Sequence, residues 1–166
     1  ALFSISDLHL STASNKPMDV FGARWKGHAE KLEKAWRSIV KEGDTVVIPG
    51  DVSWAMKLDE ALSDFRFIDS LPGRKLFGKG NHDYWWQTKK KIEDYLSANG
   101  FDSIRIMFNN AFEVGDYAVC GTRGWYVEER LQNAKENADY EKIVAREAAR
   151  LELSLKEAES LRGSSA

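Results

Sequence analysis

Cysteine is almost missing: the 166 residues contain one, Cys120. A lone thiol excludes an internal disulfide and a zinc site built on cysteine. Its setting, Tyr117-Ala118-Val119-Cys120-Gly121, is apolar and predicts a buried, inert side chain. No apolar run approaches the ~20 residues that a membrane-spanning helix needs. No basic leader precedes the first apolar run, Leu2-Phe3-Ser4-Ile5, so the expectation is a cytoplasmic protein with no membrane partner. An excess of either charge is also absent. Lys+Arg 24 against Asp+Glu 26 gives a net charge of -2. That balance makes no electrostatic case for nucleic acid or anionic lipid as the main partner, while leaving nucleic acid open. A small phosphorylated substrate held by local charges fits it. With 43% hydrophobic and 30% charged residues, the chain reads as globular, one domain over 1–166.

The first half alternates strands and helices. Strands are predicted over 2–5, 45–48 and 74–77, from short β-branched or apolar runs. Helices are predicted over 29–41, around Leu58, Leu62, Phe65 and Ile68, and over 87–96, from apolar residues at helical spacing. This rhythm argues for a largely parallel sheet in an α/β fold. The pattern then changes to strands in quick succession over 103–108, 111–114 and 117–120. Asn109-Asn110 and Gly115-Asp116 read as the hairpin turns between them. A polar, helix-favouring stretch over 127–161 follows. Its Val144, Ala148, Leu151, Leu155 and Ala158 form a stripe expected to pack on the body of the domain, with a coiled-coil seam as the alternative.

The chemistry-bearing residues sit just after the first three strands. These runs are Ser6-Asp7-Leu8-His9, Pro49-Gly50-Asp51 and Gly78-Lys79-Gly80-Asn81-His82-Asp83. In an open α/β sheet, ligands bind beyond the carboxyl ends of the strands, so these loops should converge on one rim. Carboxylate, imidazole and amide oxygen together suit Mn, Fe, Zn or Mg. Singly, each run is an ordinary turn. All three in this order, each at a strand end, point to a metal site.

Asp7-Leu8-His9, Gly50-Asp51 and Gly80-Asn81-His82-Asp83 together resemble the calcineurin-like metallophosphoesterase superfamily over residues 1 to about 126. The chain looks most like the small bacterial members, with Ile5-Ser6-Asp7-Leu8-His9-Leu10 at the start and Tyr84-Trp85-Trp86 closing the third run. The resemblance implies a layered β-sheet core flanked by helices. It also implies hydrolysis of phosphomonoesters or phosphodiesters by a metal-activated hydroxide at a dinuclear site. Asp7 and His9 would ligate the first metal, Asp51 would bridge both, and Asn81 would ligate the second. His82 would act on the phosphate or leaving group. Asp83 would fix the loop or orient a neighbouring group. Protein Ser/Thr phosphatases of the superfamily carry a further Asp and Arg after the second run. Here that stretch is Val52-Ser53-Trp54-Ala55-Met56, which favours small phosphodiesters or nucleotides as substrates.

Of six tryptophans, Trp54, Trp85, Trp86 and Trp125 lie close behind these runs. They read as packing, or as one or two pocket walls that stack on a planar leaving group; Trp54 and Trp85 are the candidates. Arg123, between glycines at positions 121 and 124, is a candidate phosphate contact, with Arg24 and Lys26 as alternatives. His28 reads as a surface or capping residue. The family pattern closes with further histidines that complete both metal sites, and no histidine follows His82. The expectation is a C-terminally incomplete unit with at most one firmly bound metal and weak or no turnover, or a non-catalytic metal-binding scaffold of the same fold. Self-association through the terminal helix or an exposed sheet is the accompanying expectation.

Overall fold

In a computed structural model, residues 1–12, 16, 18–124 and 134–163 are described. The chain packs as two compact units, Ala1–Ile106 and Met107–Ala166.

The first unit is built on four parallel strands in sequence order: β1 (Leu2–Ser4), β2 (Thr45–Ile48), β3 (Arg74–Phe77) and β4 (Ile104–Ile106). The register is continuous, with Val46 facing both Phe3 and Lys75. β2 and β3 are nearly all buried, as apolar runs in a covered parallel sheet require. Three helices flank the sheet: α1 (His28–Ile39), α2 (Leu62–Asp69) and α3 (Lys89–Ala98). α1 buries Trp36, whose indole Nε1 donates to the Pro72 carbonyl at 2.9 Å, but leaves Ile39 exposed. α3 starts two residues later than predicted because Thr88 caps it, its hydroxyl accepting from the Lys91 N–H. Between β3 and the helices, Phe65, Phe77 and Trp85 meet edge-to-face in the core.

The prediction for 103–108 needs correction. β4 extends the parallel sheet beside β3 and does not open a hairpin. Asn109-Asn110 is correspondingly no hairpin turn. Asn109 takes a left-handed backbone (φ 59°), its N–H donates to the Gly121 carbonyl, and Asn110 begins the next strand. In the second unit, β5 (Asn110–Val114) and β6 (Tyr117–Gly121) form an antiparallel hairpin closed by Gly115-Asp116, as predicted. Cys120 on β6 is half-buried rather than buried. The long helix α4 (Ala134–Gly163) packs on this hairpin; positions 127–133 lie outside the described residues. Its buried face is Glu147, Ser154 and Ala158, whereas Val144, Leu151 and Leu155 of the predicted stripe are exposed. Among the described residues, no helix is long and apolar enough to cross a membrane.

Lys75 is fully buried on β3. Its ammonium donates to the Asp69 and Leu71 carbonyls at the end of α2 and to the Ser103 hydroxyl at 3.0 Å. It therefore ties the helix end to β4. Burial pushes its pKa down to about 8, with the Asp69 charge pulling the other way. An unfolded lysine titrates near 10.5. Between those values the unfolded chain holds a proton that the folded chain lacks, so stability rises with pH across that window. Denaturant melts at pH 8 and pH 10 should show this rise, and Lys75→Met should flatten it. Equal pH dependence in both chains would contradict the assignment.

Candidate metal centre

The loops after β1 and β2 run side by side beyond the sheet. Asp7 N–H donates to the Gly50 carbonyl (3.1 Å), His9 to Asp51 (2.9 Å) and Leu10 to Val52 (3.0 Å). This ladder places Asp7, His9 and Asp51 together, with one ligand atom from each within 4.8 Å of the others. His9 Nε2 stands 3.7 Å from Asp7 Oδ1 and 3.8 Å from Asp51 Oδ2. Those gaps are too long for hydrogen bonds but suit atoms sharing a cation at roughly 2.0–2.2 Å each. All three residues have left-handed backbones, φ 58°, 45° and 54°. Such a conformation costs a non-glycine residue on the order of 1 kcal/mol, and strain of this kind concentrates at functional sites.

The third loop is held against the second by Asp83. Its buried carboxylate accepts from the N–H groups of Asp51 (2.8 Å), Val52 (2.9 Å) and Gly80 (2.8 Å), and from Trp85 Nε1 (3.0 Å). Burial pushes its pKa up, and the three backbone donors pull against that. The two loops touch so closely that glycine is required. A Cβ on Gly50 would lie 2.3 Å from the Gly80 nitrogen, and one on Gly80 would overlap the Asp51 carboxylate. Asp51 in turn accepts from the His82 N–H at 2.9 Å.

His82 is half-buried, with its Nδ1 3.4 Å from the Tyr84 hydroxyl. The Trp54 ring stacks on His9 (4.8 Å, 19°) and lies 4.9 Å from His82, while its Nε1 meets Met18 Sδ. Trp54 therefore sets the position of two imidazoles. Trp85 does not line a pocket: it is fully buried against Phe65, so its place as a substrate contact is corrected to a core residue. Asn81 is exposed on the same loop as His82. Arg123 is half-buried directly after β6, in the second unit, and Trp125 lies outside the described residues. Arg24 and His28 line an open pocket whose wall includes Asp7, whereas Lys26 does not.

Asp64 escaped the sequence reading. Fully buried on α2, it accepts from the Thr12 N–H (2.9 Å) and the Ser53 hydroxyl (2.5 Å), fastening the first two loops from below. Its signal was an acid inside the apolar face formed by Ala61, Phe65 and Ile68.

The family model for calcineurin-like phosphoesterases matches residues 3–152 and so runs across both units. The chain belongs to this family. Calcineurin-like phosphoesterases usually bind divalent metals, and the Asp7, His9 and Asp51 cluster of this member fits such an ion in donor type and spacing. No curated protein matches the chain. A solved structure of a protein of unknown function from Aquifex aeolicus is similar at 20% identity and a TM-score of 0.47, over 89% of this chain and 73% of that one.

Two outcomes follow from these contacts. Asp83→Asn turns an amide NH₂ towards two N–H donors whichever way it flips. It should cost about 2–4 kcal/mol in denaturant melts, from broken buried bonds to a charged acceptor. A loss below about 0.5 kcal/mol would rule out the anchor. Asp7→Asn keeps a residue that tolerates the left-handed backbone and removes one negative charge. Its metal-free stability should hold or rise. The gain of about 2.7 kcal/mol expected of the wild type at Mn²⁺ a hundredfold above Kd should largely vanish. A full gain retained in Asp7→Asn would show that Asp7 is no ligand.

Proposed function

We propose that this chain hydrolyses phosphoester bonds in small phosphorylated molecules, nucleotides or phosphodiesters among them, with metal held by Asp7, His9 and Asp51. The carrying observation is the three-residue cluster itself: donor atoms within 4.8 Å, on three left-handed residues beyond the ends of parallel strands. Mn, Fe, Zn or Mg bound there would supply Lewis acidity towards a phosphoryl oxygen and lower the pKa of water towards ~7.

The chain's own residues do the rest. Asp51, nearly buried, offers one carboxylate oxygen towards His9 and takes the His82 N–H on the other, which couples ligand to catalytic loop. His82 is the proposed proton donor to the leaving group, since imidazole exchanges protons near neutrality. Its backbone is pinned to Asp51 and its ring lies beside Trp54, so it can hold one pose. Asn81 is the proposed amide ligand of a second ion, with Asp51 as the bridge.

A second reading is a metal-binding scaffold without turnover. It is favoured by the ligand count: among the described residues one cluster of three His and carboxylate donors is present, leaving Asp51 and Asn81 for a second ion. Affinity follows ligand number and preorganisation, so that second position would be weak.

Hydrolysis of a chromogenic monoester and diester with added Mn²⁺ separates the readings. The wild type should turn over at least one, and Asp51→Asn should abolish it. His82→Ala should lower the rate ~10²–10⁴-fold while metal content holds. Absence of Asp51-dependent turnover leaves the scaffold. Metal lost from His82→Ala would overturn the role of His82.

A further inference from the structure

Beside the metal cluster, unit one carries an open pocket of about 490 Å³. Two parts of the chain build it. One is the loop after β1, including Asp7 and the buried Leu8. The other is the short 3-10 turn Ala23–Trp25 and one face of α1, where His28, Lys31, Leu32 and Ala35 recur at helical spacing. Among the described residues Asp7 is the one carboxylate in its lining, and it also belongs to the metal cluster, so pocket and cluster share a wall. The pocket therefore adjoins the place where a phosphoester at the cluster would sit.

The lining specifies what that part is. Arg24 and Lys31 bring two cations, and the Lys31 ammonium is tied to the Arg24 carbonyl at 3.3 Å, which steadies the turn. Arg24 has no ion pair among the described residues, so its planar guanidinium can meet an oxyanion in bidentate fashion. Trp25 provides an aromatic wall, set by an edge contact with His28 at 5.7 Å and 77°. His28 Nε2 is buried with no hydrogen-bond partner among the described residues, so its ring serves the pocket as the support of Trp25. Leu8, Leu32 and Ala35 make the remainder apolar.

We propose that this pocket is the specificity subsite of the enzyme. It takes a substrate that bears a second anionic group next to the reacting phosphate and a flat, partly apolar body, the chemistry of a nucleoside diphosphate. Arg24 and Lys31 bind the second anion, and Trp25 lies against the flat body. The proposal rests on the phosphoesterase reading above for the position of the reacting phosphate.

The test separates binding from turnover. ADP and inorganic phosphate are titrated into the full chain carrying His82→Ala with Mn²⁺ present, by calorimetry. ADP should bind at least ~10-fold tighter than phosphate, since a second charged contact and one aromatic contact are each worth about a factor of ten. Adding Arg24→Ala or Trp25→Leu should each cut that preference about tenfold, with phosphate binding little changed. Arg24 is exposed and Trp25 half-buried, and thermal melts check that each variant is folded. Should ADP bind no tighter than phosphate, or should both variants keep the preference, the subsite is overturned even if a chromogenic ester is hydrolysed. Should the preference depend on Arg24 and Trp25 while no phosphoester is hydrolysed by the wild type, the subsite stands and the hydrolase reading falls.

Discussion

The Asp83 carboxylate lies between the two loops that follow β2 and β3, and it accepts N–H groups from both. Four donors on one buried anion fix the spacing of Asp51, Gly80 and Trp85 at once. That contact makes the glycine pair necessary. With the loops drawn this close, no side chain fits at Gly50 or Gly80. It also fixes Asp51, whose carboxylate then holds the His82 backbone. Asp64 repeats the device one loop earlier, joining Thr12 to Ser53. Buried carboxylates are costly unless fully hydrogen-bonded, and these two spend that cost on holding loops rather than on chemistry.

A second constraint acts against stability. Asp7, His9 and Asp51 all sit in left-handed backbone, and their two carboxylates face one another across an imidazole. A sequence chosen only for stability would place glycine or asparagine there and separate the charges. The loop ladder from Asp7 to Leu10 and the stacking of Trp54 on His9 hold the arrangement in place. A cation between the carboxylates turns their repulsion into attraction, so strain and charge together describe a site shaped for an ion.

Much of the first unit was legible in the sequence. β2 and β3 fall on the predicted residues because a covered parallel strand must be a short apolar run, and no helix of comparable length competes. β4 was placed but misassigned in partnership, since a strand of three residues carries no mark of which neighbour it will pair with. The stripe on α4 held only at Ala158, for a related reason. Small or polar Ser154 and Glu147 take the buried face, and hydropathy alone ranks Leu151 above them. Trp85 failed because proximity to a motif in sequence says nothing about which way an indole turns.

The sequence by itself determined which carboxylates, imidazoles and glycines follow which strands, because short apolar runs mark the strand ends and the residues after them are read directly. Only the tertiary structure decided how those residues act. It turned Asp83 and Asp64 into struts, moved Trp85 into the core and gave Trp54 to the histidines. It also gathered Arg24, Trp25 and His28 beside Asp7. The physical reason is that a side chain's role follows from its burial and its partners. Those partners lie as many as 52 positions away along the chain, as with Thr12 and Asp64, where no local pattern records them.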